Sequence, residues 1–233
     1  DQEIRTARRA FYALSTQVDH QIRTVIGTLR EEGVLDDTIV MFTADHSDML
    51  GSHGIWGKGL FYEDSAHMPL ILCPTPGQLE KTGYNRRDDR LATLADVMPT
   101  LLELCDIPVP SHVEGLSLLG EQRRDYIYGE YNVNDEATRM IRDGRFKLIY
   151  YPVGNRFQLF DMEHDPNELV DLAEDDRHRG TKGRLTELLI ENLYGSDEDW
   201  LAGGELVGVQ EPEATGRMRP RRDLGGQRGL RFR

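Results

Sequence analysis

Cysteine is scarce in this chain: its 233 residues include two, Cys73 and Cys105. Neither has zinc-ligand spacing, and two thiols do not make a disulfide framework, so metal-knuckle and disulfide-stapled scaffolds are excluded. Both lie in apolar contexts, LILCP and LLELCD, and are expected to be reduced core residues. That usage fits the cytoplasm and leaves the periplasm open. Long apolar runs are lacking too. No stretch approaches the roughly 20 residues that span a bilayer. Charges interrupt the N-terminal DQEIRTARRAFYAL, which therefore has no signal-peptide core. Positive charge is in deficit, with 28 Lys and Arg against 41 Asp and Glu for a net charge of −13. Such a surface disfavours nonspecific nucleic-acid binding. No internal repeat is visible. What remains is a globular composition, 38% hydrophobic and 30% charged, long enough to bury a core in one large domain or two small ones.

Apolar residues at 4, 7, 11, 14, 18, 22, 25 and 29 mark one face of a long amphipathic helix, and Gly33 is its natural stop. DDTIVMFTADH then reads as a turn followed by a buried strand, and MPLILCP (68–74) as a second. Nearly continuous apolar runs of this kind suit a parallel sheet covered on both faces, although a buried helix segment shows the same pattern. Residues 47–60 are glycine-rich and polar, a loop. RLATLADVMPTLLELCDIPVP predicts a short strand and a helix from about Ala95 to Cys105. After Gly120 the segments RDYIYGEY, TRMIRDG, RFKLIYYPVG and NRFQLFDM are short, aromatic and β-branched, the texture of a small antiparallel sheet. RDGRFK predicts a hairpin with Asp143-Gly144 in a tight two-residue turn. LTELLIENLY (185–194) is a final helix. From about Ala214 seven arginines accompany one aspartate. With no aromatic but Phe232 among them, this end reads as a disordered tail rather than a nucleic-acid arm.

The chemistry concentrates in MFTADHSDMLGSHGIWGKGLFY (41–62). Asp45 and His46 fall where a buried strand ends, at the edge where ligands collect in open α/β sheets. A carboxylate there needs a cation or hydrogen bonds, and a metal accepts carboxylate oxygen and imidazole nitrogen together. Lys58 lies between two glycines, so its backbone can approach a bound group, and its compact ammonium suits an oxyanion. A metal with a lysine stabilises negative charge developing during phosphoryl-like or sulfuryl-like transfer. On spacing alone the alternative stays open: Asp45 as a cap residue and His46 as a partly buried histidine.

TIVMFTADHSDMLGSHGIWGKGLFYEDSAHMPLIL resembles the sulfatase family of the alkaline-phosphatase superfamily, closest to bacterial arylsulfatase-like members. FYALSTQVDHQIRTVIGTLREEGVLDDT resembles the long helix before that family's metal strand. TRMIRDGRFKLIYYPVGNRFQLFDMEHDPNELVDLAED resembles its C-terminal signature. The resemblance covers roughly residues 5–195. It implies that Asp45 and His46 are metal ligands and that Lys58 contacts both the ester and the nucleophile. His53 is a candidate substrate contact, with a loop-organising role as its alternative. Asp48 is balanced between supporting a metal and serving a turn. The implied cation is Ca2+, with Mn2+ as the alternative because imidazole suits it better. The implied nucleophile is a formylglycine made from cysteine or serine.

No segment here fits the nucleophile motif, since Cys73 opens CPTPG and Cys105 opens CDIPV. The family's paired N-terminal aspartates are also absent. Every missing element belongs to the N-terminal half of such enzymes, so the chain is expected to be a C-terminal portion and inactive by itself. Ser47 stands where the family usually has glycine; if that position needs positive φ, serine costs about 1 kcal/mol. The expected fold class is α/β. Residues 1–120 would be the C-terminal part of an alkaline-phosphatase-like α/β/α domain. Residues 121–195 would form a small antiparallel α+β subdomain, and 196–233 a disordered tail. The expected activity of the full-length protein is sulfuric ester hydrolysis on a small-molecule or carbohydrate sulfate ester, with no nucleic-acid partner and no membrane span. The alternatives are a phosphonate monoester or phosphodiester hydrolase, or a non-catalytic C-terminal module.

Overall fold

The computed structural model describes residues 2–133 and 136–210. Helix α1 (Gln2–Glu31) runs the length that its apolar spacing predicts. It stops at Gly33, whose φ is 72°. The Val34 amide donates to the Leu29 carbonyl at 3.0 Å and the Gly33 amide to the Arg30 carbonyl at 3.1 Å, a Schellman closure built around a left-handed residue. None of the α1 residues is buried, and Leu14 and Val25 are 62% and 60% exposed. Arg8 ties the helix to the next loop, its Nε donating to the Leu50 carbonyl at 2.7 Å. Among the described residues, no helix is long and apolar enough to cross a membrane.

Strands β1 (Val40–Thr43) and β2 (Leu70–Cys73) pair with each other antiparallel, Val40 opposite Cys73 and Thr43 opposite Leu70. This corrects the parallel, doubly covered reading of those runs. Burial alternates along β2, and Phe42 and Ile71 stay exposed, the pattern of a ribbon with one open face. Cys73 is exposed for the same reason, and Cys105 is exposed beyond its helix; both are free thiols and neither is a core residue. Between the strands lies the short helix α2 (Glu63–Ala66), and after them α3 (Leu79–Thr82) and α4 (Val97–Leu104). No strand forms at RLAT. There a capping box of Thr93 and Asp96 leads into α4, and the buried Asp96 carboxylate receives both Arg124 nitrogens at 2.6 Å.

The second part is the antiparallel sheet expected from its texture. Strands β3 (Tyr126–Tyr131), β4 (Thr138–Asp143), β5 (Phe146–Tyr151) and β6 (Arg156–Asp161) follow one another in that order. The β4–β5 turn differs from the expected one. The last pair across these strands is Arg142 with Lys147, and Gly144 and Arg145, not Asp143 and Gly144, lie between the strand ends. The Asp143 carboxylate closes the turn by accepting from the Arg145 and Phe146 amides at 2.7 and 2.6 Å. Gly144 is not in the left-handed region, so the side chain of Asp143 does the work that a primed turn would do.

Period-two alternation sends side chains from this sheet to two faces. One face carries Ile141, Leu148, Tyr150 and Leu159, packed with Leu185 and Leu189 of α5 (Arg179–Glu191). The other carries Met140, Ile149 and Phe160, packed with Met49 and Tyr62 from the loop after β1. The sheet is thus a middle layer, and its second face holds the polar loop in place. Residues 196–210 lie in the stretch expected to be a tail, yet they are packed. Here β7 (Leu201–Ala202) pairs with β8 (Glu205–Leu206), and Trp200 and Leu206 join the α5 core. The tail from 211 onward lies outside the described residues.

Candidate active site

The end of β1 delivers Asp45 and His46 to the mouth of the loop. The His46 amide donates to Asp45 Oδ1 at 3.0 Å, and His46 Nδ1 lies 3.0 Å from the Ser47 carbonyl. A carbonyl only accepts, so Nδ1 carries the proton and the lone pair sits on Nε2. That lone pair faces the Lys58 ammonium, which contacts Nε2 across twelve residues of chain, and Asp45 Oδ2 lies 3.3 Å away. The structure therefore brings together three of the residues singled out from sequence: Asp45, His46 and Lys58.

The loop is pinned from below. The Ser47 amide donates to the Ser65 carbonyl of α2 at 2.9 Å, and the Met49 amide to the Gly57 carbonyl at 2.8 Å. Met49 is fully buried against the sheet. Gly57 and Gly59 flank Lys58 with φ of 87° each, a conformation that glycine adopts without steric cost. A β-carbon on Gly59 would come within 2.5 Å of the Tyr131 ring, so the end of β3 lies directly against the lysine turn. Ser47 is not in the left-handed region, so serine carries no backbone strain there.

The fourth candidate, His53, is not joined to these three by any hydrogen bond among the described residues. It stacks on Tyr62 with ring centroids 4.3 Å apart and planes 15° from parallel. Asp48 Oδ1 accepts from the Leu50 amide at 2.8 Å, which is turn chemistry. Asp161, Glu163 and His164 also gather ligand atoms. Arg145 already fills that cluster, donating to Asp161 Oδ2 at 2.6 Å, and its hydrogen bonds hold the Asp161 carboxyl well below the usual range.

Sequence reasoning missed the charged groups beneath the loop. Lys147 and Glu168 are almost fully buried and bonded to each other at 2.8 Å, and Lys147 also bonds Glu63. The signal was available in RFKLIYY, where alternation puts Lys147 on the same face as the buried Ile149. Burial alone would raise the Glu63 carboxyl; the charge and hydrogen bond of Lys147, with Arg142, outweigh it and bring it below the ordinary value. A carboxyl depressed in the fold adds stability that is complete above its unfolded pKa of about 4.3 and is lost as pH falls through the folded value. The unfolding free energy is therefore expected to fall below about pH 4.3, and less steeply in Glu63→Gln. Urea titrations across that range check this, and identical acid limbs would remove Glu63 as a contributor.

Asp45 and His46 fit a cation. A carboxylate oxygen and the imidazole Nε2 lie 3.3 Å apart, a donor pair open to a cation once the Lys58 ammonium moves off Nε2. The other imidazole nitrogen is held by a backbone carbonyl, as in metal-ligating histidines. Two donors do not fill a coordination sphere, and the remaining ligands would come from outside this cluster.

A helix, an open ribbon and a four-stranded sheet around such a cluster have the fold of the C-terminal region of alkaline-phosphatase-like hydrolases. Residues 51–194 match the family model described as N-sulphoglucosamine sulphohydrolase, C-terminal, and the chain belongs to the sulfatase family. An arylsulfatase of Clostridium perfringens is 36% identical over 210 residues, covering 88% of this chain and 44% of its own length. A protein solved with its substrate D-glucosamine-2-N,6-O-disulfate is 27% identical with a TM-score of 0.67, covering 75% of this chain and 37% of that one. The phosphonate monoester hydrolase of Agrobacterium radiobacter is 29% identical with the same TM-score, covering 76% and 39%. The chain thus spans less than half the length of the relatives it matches.

Proposed function

We propose that the full-length protein hydrolyses sulfate esters, and that this chain supplies Asp45 and His46 as metal ligands and Lys58 as the cation on the transferred group. The observation that carries this is the convergence of Asp45 Oδ2, His46 Nε2 and Lys58 Nζ at the end of β1. Asp45 and His46 would hold a divalent cation, Ca2+ first and Mn2+ second. When bound, that cation draws charge from the ester oxygens. Lys58 places its ammonium beside the same oxygens and stabilises the negative charge that grows there as the ester bond breaks. The Ser47 carbonyl keeps His46 in the tautomer that presents Nε2. The formylglycine nucleophile belongs outside these residues, because neither Cys73 nor Cys105 has the fitting sequence context. By this reading the 233 residues alone turn nothing over.

Hydrolysis of a phosphonate monoester or phosphodiester is the second reading, favoured by the likeness to the Agrobacterium enzyme. Either reaction gains from a cation and an ammonium beside a tetrahedral anionic group, so the cluster serves either. Turnover of an aryl sulfate and of an aryl phosphate diester by the full-length protein separates them. The expected result is a higher kcat/KM for the sulfate, lost on chelation and restored by Ca2+ or Mn2+. Turnover of the diester alone would overturn the sulfatase reading.

A further inference from the structure

We infer that the buried Lys147–Glu168–Glu63 network is a positioning device that sets His46 and Lys58 in register; this rests on the function proposed above. Lys147, 1% exposed, is the second residue of β5. Its ammonium donates to Glu168 Oε1 at 2.8 Å, to the Phe61 carbonyl at 2.8 Å and to Glu63 Oε1. The other oxygen of Glu168 accepts from the Glu63 amide, the first of α2, at 2.6 Å. Arg142 donates to Glu63 Oε1 at 2.7 Å, and His67 Nδ1 lies 3.0 Å from Glu63 Oε2. Lys147 and Glu168 are the buried members, Glu63 and Arg142 are partly exposed at the edge, and each charge has a partner, as burial requires. Glu168 does this from a left-handed backbone, with φ of 55°. A non-glycine residue persists there only where its surroundings over-determine it.

Two short routes lead from this network to the site. Phe61, whose carbonyl Lys147 grips, lies three residues past Lys58 on the same turn. Glu63 begins α2, whose Ser65 carbonyl receives the amide of Ser47, and the Ser47 carbonyl in turn orients the His46 ring. One buried cluster thus holds both strands of the loop, one behind the lysine and one behind the histidine. A structural salt bridge elsewhere in the sheet would stabilise the fold without reaching either residue. None of the three touches substrate; they act through their neighbours.

The test uses the full-length protein with two readouts, kinetics and amide exchange. Glu168→Ala, assayed where circular dichroism shows it folded, is expected to lower kcat about 10- to 100-fold with KM nearly unchanged. It is also expected to speed exchange of the Ser47 and Met49 amides. The single change Glu168→Gln serves poorly, because Glu168 accepts through both oxygens and glutamine would place an NH2 donor against either the Lys147 ammonium or the Glu63 amide. The double variant Lys147→Met with Glu168→Gln keeps the charges balanced and the Glu63 amide bonded. It keeps the route to His46 and loses the grip on the Phe61 carbonyl, so it is expected to regain the slow Ser47 exchange and only part of the kcat. Unchanged kcat in Glu168→Ala, or a double variant whose Ser47 amide exchanges as fast as in the alanine one, overturns the proposal. The exchange readout does not depend on the chemistry. A wild-type protein inactive on every ester removes the functional reading, whereas unchanged Ser47 exchange in Glu168→Ala removes the positioning device.

Discussion

Lys58→Ala is expected to cut kcat/KM for a sulfate ester by about 100- to 1,000-fold, the scale of losing one preorganised group that stabilises developing negative charge. The Nζ of Lys58 meets His46 Nε2 across a turn whose two glycines, at φ of 87°, allow no ordinary side chain without strain. Among the described residues no other lysine or arginine bonds Asp45 or His46, so the cluster would lose its positive member. Lys58→Arg restores the charge but not its place, because a planar guanidinium is wider than an ammonium and binds as a fork. It should recover only part of the loss. Gly59→Ala should act more weakly and by a different route. Its new methyl meets the Tyr131 ring and a left-handed backbone, so melting temperature and kcat should fall together. Steady-state kinetics with thermal denaturation of all three variants separate these effects. A Lys58→Ala protein within threefold of wild type would remove Lys58 from the chemistry.

The parts of this site legible in the sequence were those set by local rules. The spacing of Ile4 through Leu29 and the stop at Gly33 dictated α1, because side-chain period and left-handed closure are properties of a short window. Asp45 and His46 were visible because an apolar strand ran into two ligand-type residues, and Lys58 because glycines bracketed it. Hidden features depended on partners far along the chain. MFT and LIL read alike whether a strand is covered on two faces or one, and only the pairing of β1 with β2 and the open side at Phe42 and Ile71 decided it. Glu168 was hidden in the same way, since nothing in DPNEL announces a lysine waiting on β5. The segment at 196–210 looked like the start of a tail for the same reason: its anchor, Arg139, is 58 residues from Asp197.

That anchor carries the largest stability effect. Arg139 on β4 is 3% exposed and Asp197 is 4% exposed. The guanidinium reaches the carboxylate through Nε at 2.5 Å and Nη2 at 2.9 Å. Nη1 donates to the carbonyls of Tyr131, Asn132 and Thr138 at 3.2, 3.1 and 2.9 Å. Its carbon lies 5.1 Å from the centre of the Trp200 ring. Arg139→Ala therefore removes a bidentate partner, three carbonyl bonds and a ring contact, and strands a carboxylate out of water. Breaking a buried pair in this way costs about 3–5 kcal/mol, which for a chain of this size lowers the melting temperature on the order of 10 °C. Replacing both charges by apolar groups, as in Arg139→Met with Asp197→Leu, removes the stranded charge and should recover most of that loss. Denaturant titration of the single and double variants measures the difference. If Arg139→Ala costs under about 1 kcal/mol, water must reach Asp197, and residues 195–210 would then be held by Trp200 and Leu206 instead of by the ion pair.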